Sequence, residues 1–302
     1  MGHPLLDESP VGTTGAWPHD PDPTPFARVP APAGPPRSVD ELTRRVLAGR
    51  HGPDPRGQRI ALAFTTTQAV RHAGRATGYR NEVLGLRLDE AVGSCAVEPG
   101  TLPAGALDAC VGASVATLLA HPLLPVRVAA LDAYLMRAHP HTPANGARPW
   151  PLEAGGSLSK SRARARAVVG LLPVRRLRRV LVVGVVNSLL ERLRAEGVDY
   201  LPCDLSGGTT EWGEPVHTDA VARLHHCDAV LASGMTLGNG TFQALREHAE
   251  NTGKPLVMFA QTGSAVLPRF LGAGVSAVSA EPYPFFWLDG GPGIIHRYGG
   301  TR

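Results

Sequence analysis

From residue 179 onward the chain returns repeatedly to short runs that are apolar from end to end: RVLVVGVV (179–186), DAVLASG (228–234) and PLVMFAQ (255–261). Between and after them lie segments of helical pattern, SLLERLRAEG, TDAVARLHHC, GTFQALREHAENTG and SAVLPRFLGAG. Two further runs, DYLPCDL and VSAVSAEPY, complete the alternation. A strand without a polar face must be covered on both sides, and strands separated by helices pair in parallel. The alternation therefore predicts an α/β fold, with a parallel sheet between helical layers. Antiparallel pairing among the three apolar runs would refute it.

Upstream the pattern changes. Ser38 or Asp40 can cap a short helix, ELTRRVLAG, that stops at Gly49. HGPDPRG (51–57) is a loop and RIALAFTTT (59–67) a strand, with QAVRHAG as its candidate hairpin partner. Residues 74–94 carry glycines and little periodicity, which predicts a long loop with short strands. ALDACVGASVATLLA (106–120) is expected to be one helix closed by Pro122. Pro125 suits the first turn of a second helix, LPVRVAALDAYLMRA (124–138), in which Val128, Leu131, Leu135 and Met136 share a face. The expected organisation is a Pro-rich flexible arm (1–38), a smaller α+β domain (39–145), a Pro- and Gly-containing linker (146–160) and the α/β domain (161–302).

Composition narrows the function. The 302 residues are 43% apolar, enough for a substantial core, and no run of eighteen apolar residues suggests a membrane span. The opening MGHPLLDESPVGTTG lacks the basic and apolar regions of a signal peptide. Cys95, Cys110, Cys203 and Cys227 are scattered without a CxxC, as in a reduced, cytoplasmic protein. The net charge of +4 comes from an arginine-rich composition with only Lys160 and Lys254 as lysines, a codon bias rather than a nucleic-acid footprint. The eight basic residues between Lys160 and Arg179 have no interleaved aromatics for base stacking and read as a solvated face.

Ligands of a parallel sheet bind beyond the carboxyl ends of its strands. The loops there are 184–188, 204–214, 233–241 and 261–265, where glycines and polar residues gather. The first, GVVNS, lacks the glycines of a dinucleotide fingerprint, which argues against NAD; Asn187 or Ser188 can cap the following helix or touch a ligand. The third holds Thr236, Asn239 and Thr241 at a helix start, with Asn239 between Gly238 and Gly240. The fourth holds Gly263 and Ser264 in a similar setting. Two helix N-termini side by side would cradle an anion, although each side chain could equally be a cap. Asp132 and Asp204 are the carboxylates placed to meet a cation or amine. As metal ligands, His225-His226-Cys227 have the wrong spacing for one helix face, His139 and His141 flank Pro140 at a helix end where a histidine favours the helix dipole, and Cys95 is an isolated candidate nucleophile.

Residues 40–285, and 227–275 most specifically, resemble the family described as putative heavy-metal chelation. The likeness rests on Asp228 opening a buried strand, on T-L-x-N-x-T (Thr236, Leu237, Asn239, Thr241) and on G-S-x-x-x-P (Gly263, Ser264, Pro268) followed by Gly274. FTTTQAVR and VAALDAYL look like the family's N-terminal strand and alanine-rich helix. The resemblance implies a Rossmann-like domain preceded by one like the enolase N-terminal fold, with a site in the cleft between them. It departs from the family at Asp132, where an asparagine is usual, near Asn187, where a proline is frequent, and in the tail PFFWLDGGPGIIHRYGG. The reading is a protein that binds a small polar or anionic ligand, a metal or a metal-chelating metabolite, with a divalent metal as candidate cofactor. Homo-oligomers are left open. The alternative is a lyase or transferase acting on an amino-acid-like metabolite, with Asp132, Asp204 or Cys95 as acid, base or nucleophile.

Overall fold

The computed structural model describes residues 34–300 except 73, 76–77, 286–287 and 289; the arm expected over 1–38 lies outside the described residues apart from its last five. Helix α1 (Val39–Leu47) begins at Ser38, whose Oγ accepts from Glu41 N at 3.0 Å, and buries Leu42 and Val46. A three-stranded antiparallel sheet follows: β1 (Leu62–Val70), β2 (Tyr79–Leu88) and β3 (Ala91–Val97). The long loop expected over 74–94 is thus mostly strand, and β2 rather than QAVRHAG is the hairpin partner. Gly85, which weakened the strand pattern, pairs across with Phe64, whose ring covers the space a side chain would fill.

The expected helix over 106–120 is two short ones, α2 (Ala106–Cys110) and α3 (Val115–Leu119). Gly112, at φ +77°, breaks the helix, and Ser114 caps the second piece through Thr117 N at 3.1 Å. Helix α4 (Leu124–Ala138) forms as its pattern predicts and lies against β3 and β2. Its packing is close: a Cβ on Gly93 of β3 would stand 1.9 Å from Ala133 N.

The second sheet has seven strands in the order β4-β10-β9-β8-β7-β5-β6. They are β4 (Arg148–Leu152), β5 (Arg179–Val183), β6 (Asp199–Cys203), β7 (Ala229–Ser233), β8 (Leu256–Ala260), β9 (Ala277–Ala280) and β10 (Gly293–Gly299). Strands β6, β5, β7, β8 and β9 are parallel, as the apolar runs required; β10 and β4 add antiparallel pairings at one edge. Residues 148–152, read as linker, therefore pair within this sheet, as does the C-terminal tail.

Helices α5 (Ser157–Val169), α6 (Asn187–Ala195), α7 (Met235–Gly238) and α8 (Phe242–Thr252) supply the covering layers. The segments expected as helices after β6 and β8 contract to 3-10 turns, Val221–His226 and Leu267–Phe270. In the first, Asp228 accepts from Arg178 N and Arg179 N and draws the chain into β7. In the second, Pro268 removes a helical donor. The basic run also departs from a wholly solvated face: Lys160 and Arg164 of α5 are buried. One apolar cluster runs from α1, β3 and α4 through α7 and α8 to β7 and β8, so the two sheets share a core.

Candidate functional site

The carboxyl ends of β5, β6, β7 and β8 face the three-stranded sheet across a cavity of about 490 Å3. Gly184 to Ser188, Asp204, Ser233, Gln261 and Thr262 line one side; Gln68, Tyr79, Asn81 and Ala96 line the other. This is the crevice where a parallel sheet holds ligands. All four loops singled out by sequence contribute to it directly.

Asp204 follows β6 and ties two loops together. Its Oδ2 accepts from Val185 N at 3.2 Å and its Oδ1 from Ser206 N at 3.0 Å. Asn187 begins α6 on the same wall. Beside it Ser161 Oγ donates to Ser188 Oγ at 3.0 Å, joining α5 to α6. Met235 N donates to Ser233 Oγ at 3.3 Å where β7 ends. Asn187 and Asp204 are therefore the predicted residues that the structure brings to the cavity.

The remaining predicted residues lie elsewhere. Asp132 is buried in α4, outside the cavity lining. Its Oδ2 accepts from Ser94 N of β3 at 2.9 Å and its Oδ1 from Ala265 N at 2.8 Å, while Gly263 N donates to Ser94 O at 2.9 Å. The amides expected to cradle an external anion after β8 are thus engaged by the protein's own carboxyl group. Burial pushes Asp132 up to about 7, against the downward pull of the amide bonds.

Ser264 is buried within 3.4 Å of His141 Nε2, and Gly263, at φ +64°, packs against Leu237. Thr236 is buried and donates to Ser233 O at 2.7 Å. Asn239 is exposed beyond the end of α7, and its side-chain oxygen accepts from Thr241 N at 3.1 Å. Thr241 precedes α8, with no side-chain capping bond. Asn239 and Thr241 therefore form a local turn away from the cavity lining.

The cavity also contains residues that the sequence reading assigned to a solvated face. Arg164 lies in the wall, fully buried, with its Nε bonded to Glu281 Oε1 and its guanidinium 5.2 Å from the centre of the Phe259 ring. Gln261 Nε2 donates to the other Glu281 oxygen at 2.7 Å. Burial raises Glu281, opposed by Arg164. At the mouth, Arg75 bonds to Glu191 at 2.5 Å and to Glu211, and His72 Nδ1 lies 3.0 Å from Ser157 Oγ. These contacts hold the β1–β2 connection against α5 and α6. The alternating Arg-Ala pattern of α5 was the available signal, but its buried positions depend on where the helix docks.

The donor set does not fit a bare heavy-metal ion. Among the described residues, no group of three or more His, Cys, Asp or Glu side chains stands together as a ligand set. The four cysteines are buried thiols raised by desolvation. Cys95 is fully buried and absent from the cavity wall, and His225 and His226 are exposed while Cys227 is buried. Among the described residues no helix is long and apolar enough to cross a membrane.

Residues 167–280 match the model of the family described as putative heavy-metal chelation. Among solved structures, a protein of unknown function from the DUF364 family of Desulfitobacterium hafniense is 16% identical, covers 80% of this chain and 84% of that chain, and has a TM-score of 0.51. A protein of the same family from Pyrococcus horikoshii is 15% identical over 71% of this chain and 80% of that chain, with a TM-score of 0.47. An enolase family member from Agrobacterium tumefaciens with homology to dipeptide epimerases is 13% identical over 80% and 98%, with a TM-score of 0.34. Only the first likeness bears on the fold, and none bears on the ligand. No curated protein matches the chain. The matched segment, 167–280, holds the five parallel strands and the loops at their carboxyl ends.

Proposed function

We propose that the chain binds a small polar metabolite in the cavity between the two sheets, and that this metabolite brings any metal already chelated. The observation that carries the reading is the lining itself. Asp204 stands among hydroxyl and amide groups, Arg164 is paired with Glu281, and no three-ligand set for a bare ion lies among the described residues. A ligand that supplies most metal donors itself needs from the protein only shape, hydrogen bonds and one carboxylate facing its cationic part. A cavity of about 490 Å3 suits a small metabolite.

Thermal unfolding of the full chain tests this with zinc chloride, histidine, and zinc premixed with histidine. The zinc–histidine complex should raise the midpoint by mass action more than either component alone. Asp204→Asn should reduce that rise, whereas Asn239→Asp, outside the cavity, should leave it unchanged. Equal stabilisation by zinc chloride alone, or an unaffected Asp204→Asn variant, would refute the reading.

A further inference from the structure

A second cluster lies away from this cavity, where α1, the turn at Pro143–Asn145, the turn at Leu267–Phe270 and β10 meet. A depression of about 350 Å3 there is lined by Arg45, His51, Asn145, Arg269 and Tyr298, with Pro35, Pro36 and Leu271 also in its wall. The charge of Arg45 is offset: it pairs with Glu41 at 2.5 Å and donates to Gly34 O at 2.8 Å, although its Nε, like that of Arg269, is buried without a partner. Arg269 differs: no described carboxylate pairs with it.

The groups around Arg269 are also basic. His51, His139 and His141 lie close enough to feel its charge. The His141 and His296 rings stack with centroids 4.9 Å apart, while His51 and His139 meet edge to face at 5.8 Å. His139 Nε2 is a second buried nitrogen without a partner. Desolvation, with these neighbouring cations, pulls His51 down to about 4 and His141 to about 3. The Arg269 charge has no described carboxylate to offset it, and a buried donor is costly to leave unmatched, so this arrangement calls for an acceptor from outside the chain. A monocarboxylate brings one charge and two oxygens. A phosphate group brings close to two charges and three strong acceptor oxygens near neutral pH.

We propose that this depression binds a phosphate group, free or carried by a small metabolite, with Arg269 as its principal contact and His51 as a second donor. The site is independent of the cavity between the sheets.

The test compares thermal midpoints of the full chain in inorganic phosphate, potassium chloride and acetate at matched ionic strength. Phosphate should give a saturable rise that the other salts do not. Arg269→Gln should weaken the apparent phosphate affinity by at least about tenfold, and Arg269→Lys should retain part of it. Glycerol 3-phosphate binding more tightly than inorganic phosphate identifies a phosphorylated metabolite, while equal binding identifies free phosphate. A second measurement does not need the variants: phosphate should shift the assigned His51 ring resonance of the parent protein. No phosphate-specific rise, an equal response to acetate, an unaltered response in folded Arg269→Gln, or an unmoved His51 resonance would overturn the proposal.

Discussion

Asp132→Asn separates a buried clasp from a ligand contact. In the parent, both carboxylate oxygens accept backbone amides, from Ser94 and Ala265. Asparagine places an NH2 group toward one of them, and a mismatched buried hydrogen bond costs about 1–3 kcal/mol. The pH dependence is more diagnostic. Burial pushes the folded Asp132 carboxyl up to about 7, against an ordinary value of 3.8. Between those values the folded state holds a proton that the unfolded state has lost, so this group's contribution to stability falls as pH rises. That difference corresponds to about 4 kcal/mol in all, fully present below about pH 4 and lost as pH rises through about 7. Between about pH 5 and 6.5 the parent should lose about 2 kcal/mol relative to the variant. Urea unfolding followed by tryptophan fluorescence at several pH values measures this. Binding of the zinc–histidine complex to the folded variant should change by less than about twofold, well under 1 kcal/mol. Parallel stability curves would refute the buried titration, and loss of binding with the fold intact would return Asp132 to the site.

Other expectations concern packing and charge. Gly93→Ala should lower stability by more than about 4 kcal/mol or prevent folding, because no side chain shift relieves a contact with the α4 backbone; a chevron or melting curve decides it. Arg164→Met alone should cost about 3–5 kcal/mol by stranding Glu281, and adding Glu281→Met should recover much of that loss in urea unfolding. All four cysteines should resist a thiol reagent such as Ellman's until the chain unfolds, since each is buried; rapid native labelling of Cys95 would contradict its placement.

The parallel order of β5, β7 and β8 was legible because strands covered on both faces must be apolar throughout, and Val180, Leu231 and Val257 follow that rule. The loops at their carboxyl ends were legible for the same reason: once the sheet is known, its polar edge is known. Local chemistry also fixed the Ser38 cap and helix α4. The strand β2 was obscured because Gly85 lacks a side chain, and only Phe64 on the neighbouring strand fills its place. Sequence could list Asp132, Asp204, Ser264 and Asn239 as candidates but could not sort them. The sorting depends on docking. When α4 presses on β3, Asp132 meets the Ser94 and Ala265 amides, and Asp204 remains on the cavity wall. Likewise, Arg164 meets Glu281 from 117 positions away in the chain, and Arg269 gathers histidines from two separate segments. Periodicity reports which face of an element is apolar; which distant polar groups meet is decided only when those faces are buried together.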